Sequence, residues 1–367
     1  MSSPSHYTPP GHIGNPDITP RDDPRFNPNL LQQLAAIGMD VNLPAHDLTS
    51  HSPLDQIAKL MEESSKQIVG LYEAIDTSLP TDEHEPTVDR TDLTIDGPAG
   101  APPIKIHVFR QASAGDETQP CVVYAHGGGM TILDTINPVH VRWLTSLALA
   151  GVTAIAIDFR NAWTPAQHNP FPAGLNDCAA GVRYIASHKA QLHIGKLIVQ
   201  GESGGGNLAI ATALKAKREG WLAAIDGVYA CVPYISNVWS QPRERLLAEL
   251  PSLVENDGYL ITRQGMACMG AYYTYEDADR TDPLAWPYHA SVEELKGLPP
   301  HVIHVDELDP LRDEGVAFYR KLSQAGVAVD GRLNLGVTHG ASMIFRKALP
   351  ELNRSVVQSI AAFAKGL

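Results

Sequence analysis

A serine nucleophile is predicted at a turn between a strand and a helix. Residues 196–211 read KLIVQGESGGGNLAIA, a short apolar run that breaks into glycines around Ser203 and then follows a helical pattern. The turn fits G-x-S-x-G, in which a serine in strained backbone holds its hydroxyl clear of its neighbours. Amides at the start of the helix favour negative charge at the same place. The stretch therefore predicts a nucleophile elbow.

The same glycines allow two other interpretations. Gly204, Gly206 and Ala209 also fit G-x-G-x-x-A, the dinucleotide-binding fingerprint, and Asp226 follows at the distance that this fingerprint requires. A glycine-rich turn can also serve close packing alone. The other groups that a serine nucleophile needs decide between these interpretations.

A second glycine-rich loop follows a predicted strand and could stabilise negative charge. It reads HGGG, from His126 to Gly129. Acyl transfer to a serine requires amide donors for the tetrahedral oxyanion, and the loss of one donor costs about 10²- to 10³-fold in rate. A flexible loop and a phosphate cradle are the alternatives, but the Lys-Ser/Thr pair of a P-loop does not follow these glycines.

A base and a carboxylate to orient it are predicted near the C-terminus. Asp309 follows the seventh predicted strand, and His339 follows the eighth. Ligands bind at one edge of a parallel sheet, where such strand ends meet. The chain order Ser203, Asp309, His339 is that of the α/β-hydrolases. We expect His339 to take the proton from Ser203 and Asp309 to orient its ring.

Three other carboxylates compete with Asp309 for this role: Asp306, Glu307 and Asp313. Asp309 is preferred because the turn before Pro310 projects it. We expect Asp313 and Glu314 to cap the next helix instead.

Alternating strands and helices position these residues. The fold class predicted is α/β, an eight-stranded, mostly parallel sheet flanked by helices, because its apolar runs are typical of strands buried on both faces. The predicted strands are 91–96, 104–109, 121–125, 152–159, 197–200, 227–232, 301–305 and 332–335.

Two further segments are predicted to cover the sheet. Residues 1–89 contain a Pro-, Gly- and Asp-rich arm, expected to lie extended, and two amphipathic helices at 29–37 and 53–75, which we interpret as cap helices. Residues 90–367 form the predicted catalytic domain. Within it, the aromatic-rich insertion 234–288 is expected to contribute to the cap, since insertions of that length usually cover a site.

Five motifs resemble the hormone-sensitive-lipase-like family of α/β-hydrolase esterases, bacterial family IV. They are HGGGM, GESGG, DPLRDEG, THG and NPFPAGLNDC, and the resemblance covers residues 91–367. It implies a helical cap, a homodimer through the last strand, and a site without cofactor or metal. By position it implies Ser203 as nucleophile, His339 as base, Asp309 as orienter, amides of Gly128, Gly129 and Gly204 as oxyanion donors, and His126 as a residue that fixes the loop.

The elbow departs from the family's commonest sequence, GDSAG. Glu202 and Gly204 stand in place of its aspartate and alanine. The amide donor of residue 204 survives this change, and the role of the Glu202 carboxylate stays open.

Composition excludes several other classes of function. The 367 residues include 28 basic and 41 acidic ones, a net charge of −13 that repels nucleic acid and anionic membranes. The four cysteines are widely spaced in apolar surroundings, so we expect buried thiols. No run typical of a secretion signal or a membrane span is found, and a cytoplasmic location is expected.

The sequence thus predicts a serine carboxylesterase that acts on a small-molecule ester through an acyl-enzyme. Short-chain esters, lactones and aromatic esters such as phthalates all remain open as substrates. The alternatives are an amidase or lactonase, and a non-catalytic binding protein on a hydrolase scaffold. The complete set of serine, histidine and aspartate argues against the binding protein.

Overall fold

One sheet of eight strands forms the centre of the computed structural model, which describes residues 7–44 and 46–367. The spatial order is β1-β2-β4-β3-β5-β6-β7-β8; β2 runs antiparallel to both neighbours, and the remaining pairs are parallel. The predicted eight-stranded, mostly parallel sheet is confirmed. The strands are β1 (Val88–Ile95), β2 (Ile104–Gln111), β3 (Gln119–Ala125), β4 (Thr153–Asp158), β5 (Ile194–Glu202), β6 (Gly227–Cys231), β7 (His301–Asp306) and β8 (Val329–Asn334).

The central strands carry apolar side chains on both faces because they supply two hydrophobic cores. In β3, Cys121 and Val123 belong to one core, whereas Val122 and Tyr124 belong to the other. Successive side chains of a strand point to opposite faces, so helices must cover both. Three helices, α5, α6 and α11, pack on the first core, and α4 and α13 pack on the second. These helices are α4 (Pro138–Leu149), α5 (Ala173–Ser187), α6 (Gly204–Arg218), α11 (Arg312–Gln324) and α13 (Pro350–Lys365).

The other helices lie in the N-terminal segment, in the insertion, and in short connections. The amphipathic α3 packs against α9 of the insertion and against α4. The segment before residue 28 contains one short helix and several turns, so the prediction of an extended arm is wrong for its described part; residues 1–6 of that arm lie outside the described residues. These helices are α1 (Gly11–Gly14), α2 (Pro28–Ala36), α3 (Leu54–Ala74), α7 (Arg243–Glu249), α8 (Ser252–Glu255), α9 (Arg263–Tyr273), α10 (Val292–Leu295) and α12 (Ala341–Ile344).

The last strand begins and ends earlier than the sequence indicates. Pairing with β7 runs from Val329 to Asn334, so Leu335, which the prediction included, lies beyond the strand. The chain turns directly afterwards at Gly336, where φ is +74°. Every helix within residues 7–44 and 46–367 is too short or too polar to cross a bilayer.

Candidate active site

Ser203 lies at a sharp turn between β5 and α6. Its φ is 56° and its ψ −119°, a combination that non-glycine residues seldom adopt. The flanking glycines permit the turn: a β-carbon on Gly201 would lie 2.2 Å from the carbonyl oxygen of Gly205, and one on Gly205 would lie 1.9 Å from that of Ala125. The amide of Ser203 donates to the carbonyl of Cys231 (2.9 Å), which anchors the turn to β6.

The structure brings Asp309 and His339 into direct contact. The distance from Nδ1 of His339 to Oδ2 of Asp309 is 2.8 Å, and the aspartate is fully buried. The amide of Leu311 donates to its other oxygen at 2.9 Å. Asp309 therefore favours the tautomer of His339 that carries its proton on Nδ1 and leaves Nε2 free to accept one.

The competing carboxylates bind backbone amides or other side chains. Asp306 accepts a hydrogen bond from the amide of Gly340 (3.0 Å), and Glu307 accepts one from Gly336 (2.7 Å), so both hold the loop that carries His339. Asp313 accepts from the amide of Ser252 at 2.7 Å.

Asp313 and Glu314 lie in the first turn of the next helix, as predicted, but neither side chain caps it by a hydrogen bond. The residue at the N-cap of α11 makes no side-chain hydrogen bond to that helix. Glu314 is fully buried and accepts from the amide of Ile235 (2.6 Å) and from the indole of Trp239 (3.1 Å). Both carboxylates face the insertion because its backbone and side chains offer donors there.

Several carboxylates act on the charge of His339. Burial by itself lowers the pKa of His339, but Asp309 first, then Asp306 and Glu202, outweigh this effect and raise it. Asp306 is buried among these groups, and burial together with the neighbouring Asp309 raises its pKa to about 7. A positive charge on His339 is thus stabilised at this site.

The glycine loop after β3 lies against the start of α6. Gly128 and Gly129 have φ values of +85° and +60°, which glycine adopts without strain. A β-carbon on Gly204 would lie 2.8 Å from the amide nitrogen of Gly129 and 2.5 Å from that of Met130, so the residue after Ser203 packs directly on the backbone of this loop. His126 is buried, its Nδ1 lies 2.8 Å from the carbonyl oxygen of Gly127, and its ring stacks on Phe159.

Glu202 contacts both the elbow and the glycine loop. Its Oε1 accepts hydrogen bonds from the amide of Gly127 (2.6 Å) and from the hydroxyl of Tyr124 (2.9 Å). Burial raises the pKa of Glu202 to about 8, although both of these donors lower it. The sequence places Glu202 beside the serine, but no pattern in it indicates the contact with Tyr124.

An apolar cavity of about 150 Å³ joins these residues. Ser203, His339 and Glu202 line it together with the loop from Gly127 to Gly129. The sequence predicts the N-terminal helices as a cap, but it does not indicate which of their side chains reach the cavity. The remaining wall includes Met39, Ile68, Leu71 and Tyr72 from the N-terminal segment and Tyr234, Leu260, Ile261, Met266 and Met269 from the insertion.

The chain is similar to known proteins of the alpha/beta hydrolase fold. A protein-family model described as alpha/beta hydrolase fold matches residues 122–343. Among solved structures, the chain is 49% identical to brefeldin A esterase, described as a bacterial homologue of human hormone sensitive lipase, with 98% of both chains covered and a TM-score of 0.95. The esterase Est22, solved with p-nitrophenol, is 34% identical, covering 95% of this chain and all of its own, with a TM-score of 0.83.

Relatives matched by their sequences also have names of ester-hydrolysing enzymes. Ethyl acetate hydrolase of Pseudomonas putida is 32% identical over 329 residues, which is 86% of this chain and 91% of that protein. Esterase LipI of Mycobacterium tuberculosis is 32% identical over 268 residues, 71% of this chain and 78% of its own length.

Proposed function

The chain belongs to the hormone-sensitive-lipase-like family of α/β-hydrolases, and we propose that it is a carboxylic ester hydrolase that works through an acyl-enzyme on Ser203. The observation that carries the proposal is one cavity lined by both a strained serine and a histidine, and this histidine lies 2.8 Å from a buried aspartate. The esterase names of its relatives support the same reaction.

The proposed first step forms the acyl-enzyme. The hydroxyl oxygen of Ser203 attacks the ester carbonyl while Nε2 of His339 takes the hydroxyl proton. The carbonyl oxygen becomes an oxyanion, which amides of Gly128, Gly129 and Gly204 stabilise. When the tetrahedral intermediate collapses, the bond to the alcohol breaks and the departing alkoxide takes the proton from His339.

The second step returns the enzyme to its starting state. Water attacks the acyl carbonyl, and His339 removes its proton as it did that of Ser203. Collapse releases the carboxylic acid and restores the serine hydroxyl. Asp309 orients the imidazole, whose positive charge its carboxylate stabilises.

The cavity favours small, uncharged, apolar esters as substrates. Its volume of about 150 Å³ and its apolar walls suit a short acyl chain or one small ring. Short-chain, lactone and aromatic esters all meet this description. We propose that residues 1–89 and 234–288 act as a cap, since described residues from both segments line the cavity and α3 packs on α9.

We also propose a homodimer formed through β8. This edge strand is largely exposed, and Leu333 and Leu335 at its end expose 51% and 70% of their surface. An exposed edge with apolar side chains is suited to pairing with a second strand. Light scattering of the purified protein would distinguish a dimer from a monomer.

The esterase proposal is tested with p-nitrophenyl esters of increasing acyl length. Wild-type protein should release p-nitrophenol with a burst, fastest for short chains, and Ser203→Ala should lose about 10⁶-fold in kcat with its fold intact. Residual activity above a hundredth of wild type would remove Ser203 from its proposed role. Tight binding of esters by wild-type protein without turnover would favour a binding protein.

A further inference from the structure

Glu202 connects the nucleophile to the oxyanion loop, which we define as residues 127–130. It is the residue before Ser203, and its side chain is 8% exposed. Oε1 lies 2.6 Å from the amide nitrogen of Gly127, 75 residues away in sequence. A β-carbon on Gly127 would lie 3.1 Å from this oxygen and 3.4 Å from the β-carbon of Ser203, so glycine allows the close approach.

Two hydrogen bonds fix the peptide planes on either side of Gly127. Its amide donates to Glu202, and its carbonyl oxygen lies 2.8 Å from Nδ1 of His126, which donates to it. In a trans peptide the C=O and the following N–H point in opposite directions. The amide of Gly128 must therefore point away from His126, and its direction is set once both planes are fixed.

Tyr124 supports the same carboxylate oxygen from the strand below. Its hydroxyl donates to Oε1 of Glu202 at 2.9 Å, and the side chain is fully buried. Tyr124 pairs with Gln200 between β3 and β5, so the phenol approaches from the strand that leads into the loop. One oxygen thus joins β3, the oxyanion loop and the elbow.

We propose that Glu202 is a positioning residue for the oxyanion hole, and that it acts as a hydrogen-bond acceptor rather than as a charge. The proposal rests on the esterase function above and adds to it a residue that acts through the oxyanion loop rather than by bonding to the reacting atoms. A fixed donor geometry lowers the barrier because the amides need not reorganise when the oxyanion forms.

An acceptor role agrees with the surroundings of the carboxyl group. Burial raises its pKa to about 8, so both the acid and the carboxylate are accessible near neutral pH. Oε1 can accept hydrogen bonds from Gly127 and Tyr124 in both protonation states, with the acid proton on Oε2. The uncharged amide of a glutamine should therefore replace the carboxyl group, whereas an apolar side chain should not.

The test compares Glu202→Gln with Glu202→Met, a pair of similar length in which only glutamine retains the acceptor. For Glu202→Met we expect kcat to fall about 10- to 100-fold, less than the loss of a whole oxyanion donor, while KM stays within threefold. The affinity for a trifluoromethyl ketone, which forms a tetrahedral oxyanion adduct with Ser203, should fall by the same factor. Glu202→Gln should keep kcat and ketone affinity within about threefold of wild type.

Three results would overturn the proposal. A folded Glu202→Met protein with kcat and ketone affinity like wild type would show that the loop needs no acceptor. Equal losses in both variants would assign the effect to charge. If Glu202→Met does not fold, Tyr124→Phe, which loses only a hydroxyl, is expected to lower kcat and ketone affinity together about three- to tenfold, and unchanged values would refute the role.

The outcomes also separate this proposal from the proposed function. Wild-type protein that neither hydrolyses esters nor binds the ketone would refute the esterase assignment itself. An active wild-type enzyme whose Glu202→Met variant equals it would refute only the positioning role.

Discussion

Replacing Gly204 by alanine tests how rigidly the start of α6 packs against the oxyanion loop. The added β-carbon would lie 2.5 Å from the amide nitrogen of Met130 and 2.8 Å from that of Gly129. Ordinary van der Waals contact begins at 3.4 Å, so the two backbones must separate by roughly 0.6 to 0.9 Å. Neither neighbour is the end of a flexible side chain that could simply turn away.

A displacement of this size should affect both rate and stability. A misplacement of about 1 Å can cost about 10²-fold in rate, and overpacking of this kind costs about 1–3 kcal/mol. For Gly204→Ala we therefore expect kcat to fall about 10- to 100-fold, with a smaller change in KM, because the oxyanion donors move relative to Ser203. The free energy of unfolding should fall by about 1–3 kcal/mol.

Steady-state kinetics and urea unfolding measure the two effects, and Gly70→Ala is the matched control. Gly70 lies within α3 with no atom within 4 Å of an added β-carbon. Its replacement should leave kcat unchanged and raise the free energy of unfolding by about 0.5–1 kcal/mol. Wild-type kcat and stability in Gly204→Ala would refute the reasoning. The loop would then have the freedom to accept alanine, the residue of the family's commonest elbow.

Three further predictions concern the base, the N-terminal arm and the cap. Because nearby carboxylates raise the pKa of His339, and its neutral form is the base, kcat/KM should fall with decreasing pH around a midpoint above the pKa of free histidine. Asp306→Asn should move that midpoint to lower pH, and an unmoved midpoint would contradict this assignment of charges. Arg25→Ala should lower the free energy of unfolding in urea by about 3 kcal/mol, because it leaves the buried Glu255 with one cationic partner fewer; a loss below about 0.5 kcal/mol would fit only an exposed pair. Ile68→Ala enlarges the cavity, so the ratio of kcat/KM for hexanoate over acetate should rise about tenfold, and an unchanged ratio would place the acyl chain elsewhere.

The order of strands and helices could be predicted because parallel strands buried on both faces leave continuous apolar runs. Strand ends could not be predicted as well, since pairing continues past such runs. β5 begins at Ile194 rather than at residue 197 because the backbone of Gln119 in β3 pairs with it there. Glycine and lysine at residues 195 and 196 give no strand signal, yet their backbone lies within the strand.

The residues of the candidate site were predicted from motifs, but their contacts depend on tertiary structure. Asp306 is the last residue of β7 and Asp309 follows it three positions later, so sequence spacing hardly separates them. The structure distinguishes them by partner: Asp309 contacts the ring of His339, whereas Asp306 binds the amide of Gly340. For Glu202 the decisive partner is 75 residues away, a distance over which local patterns carry no information.

The N-terminal arm shows why a segment without periodicity can still influence the site. The amide of Asn27 donates to the carbonyl of Gly336 (2.8 Å), at the start of the loop that carries His339. The guanidinium of Arg25 donates to the side-chain oxygen of Asn256 (3.2 Å). The side-chain nitrogen of Asn256 donates in turn to the backbone carbonyl of Asp309 (3.2 Å). The arm therefore holds the loops of both the proposed base and its orienter. Irregular backbone must satisfy its polar groups through such specific partners. The arm therefore contributes to the geometry of a site that none of its described residues, 7–27, lines.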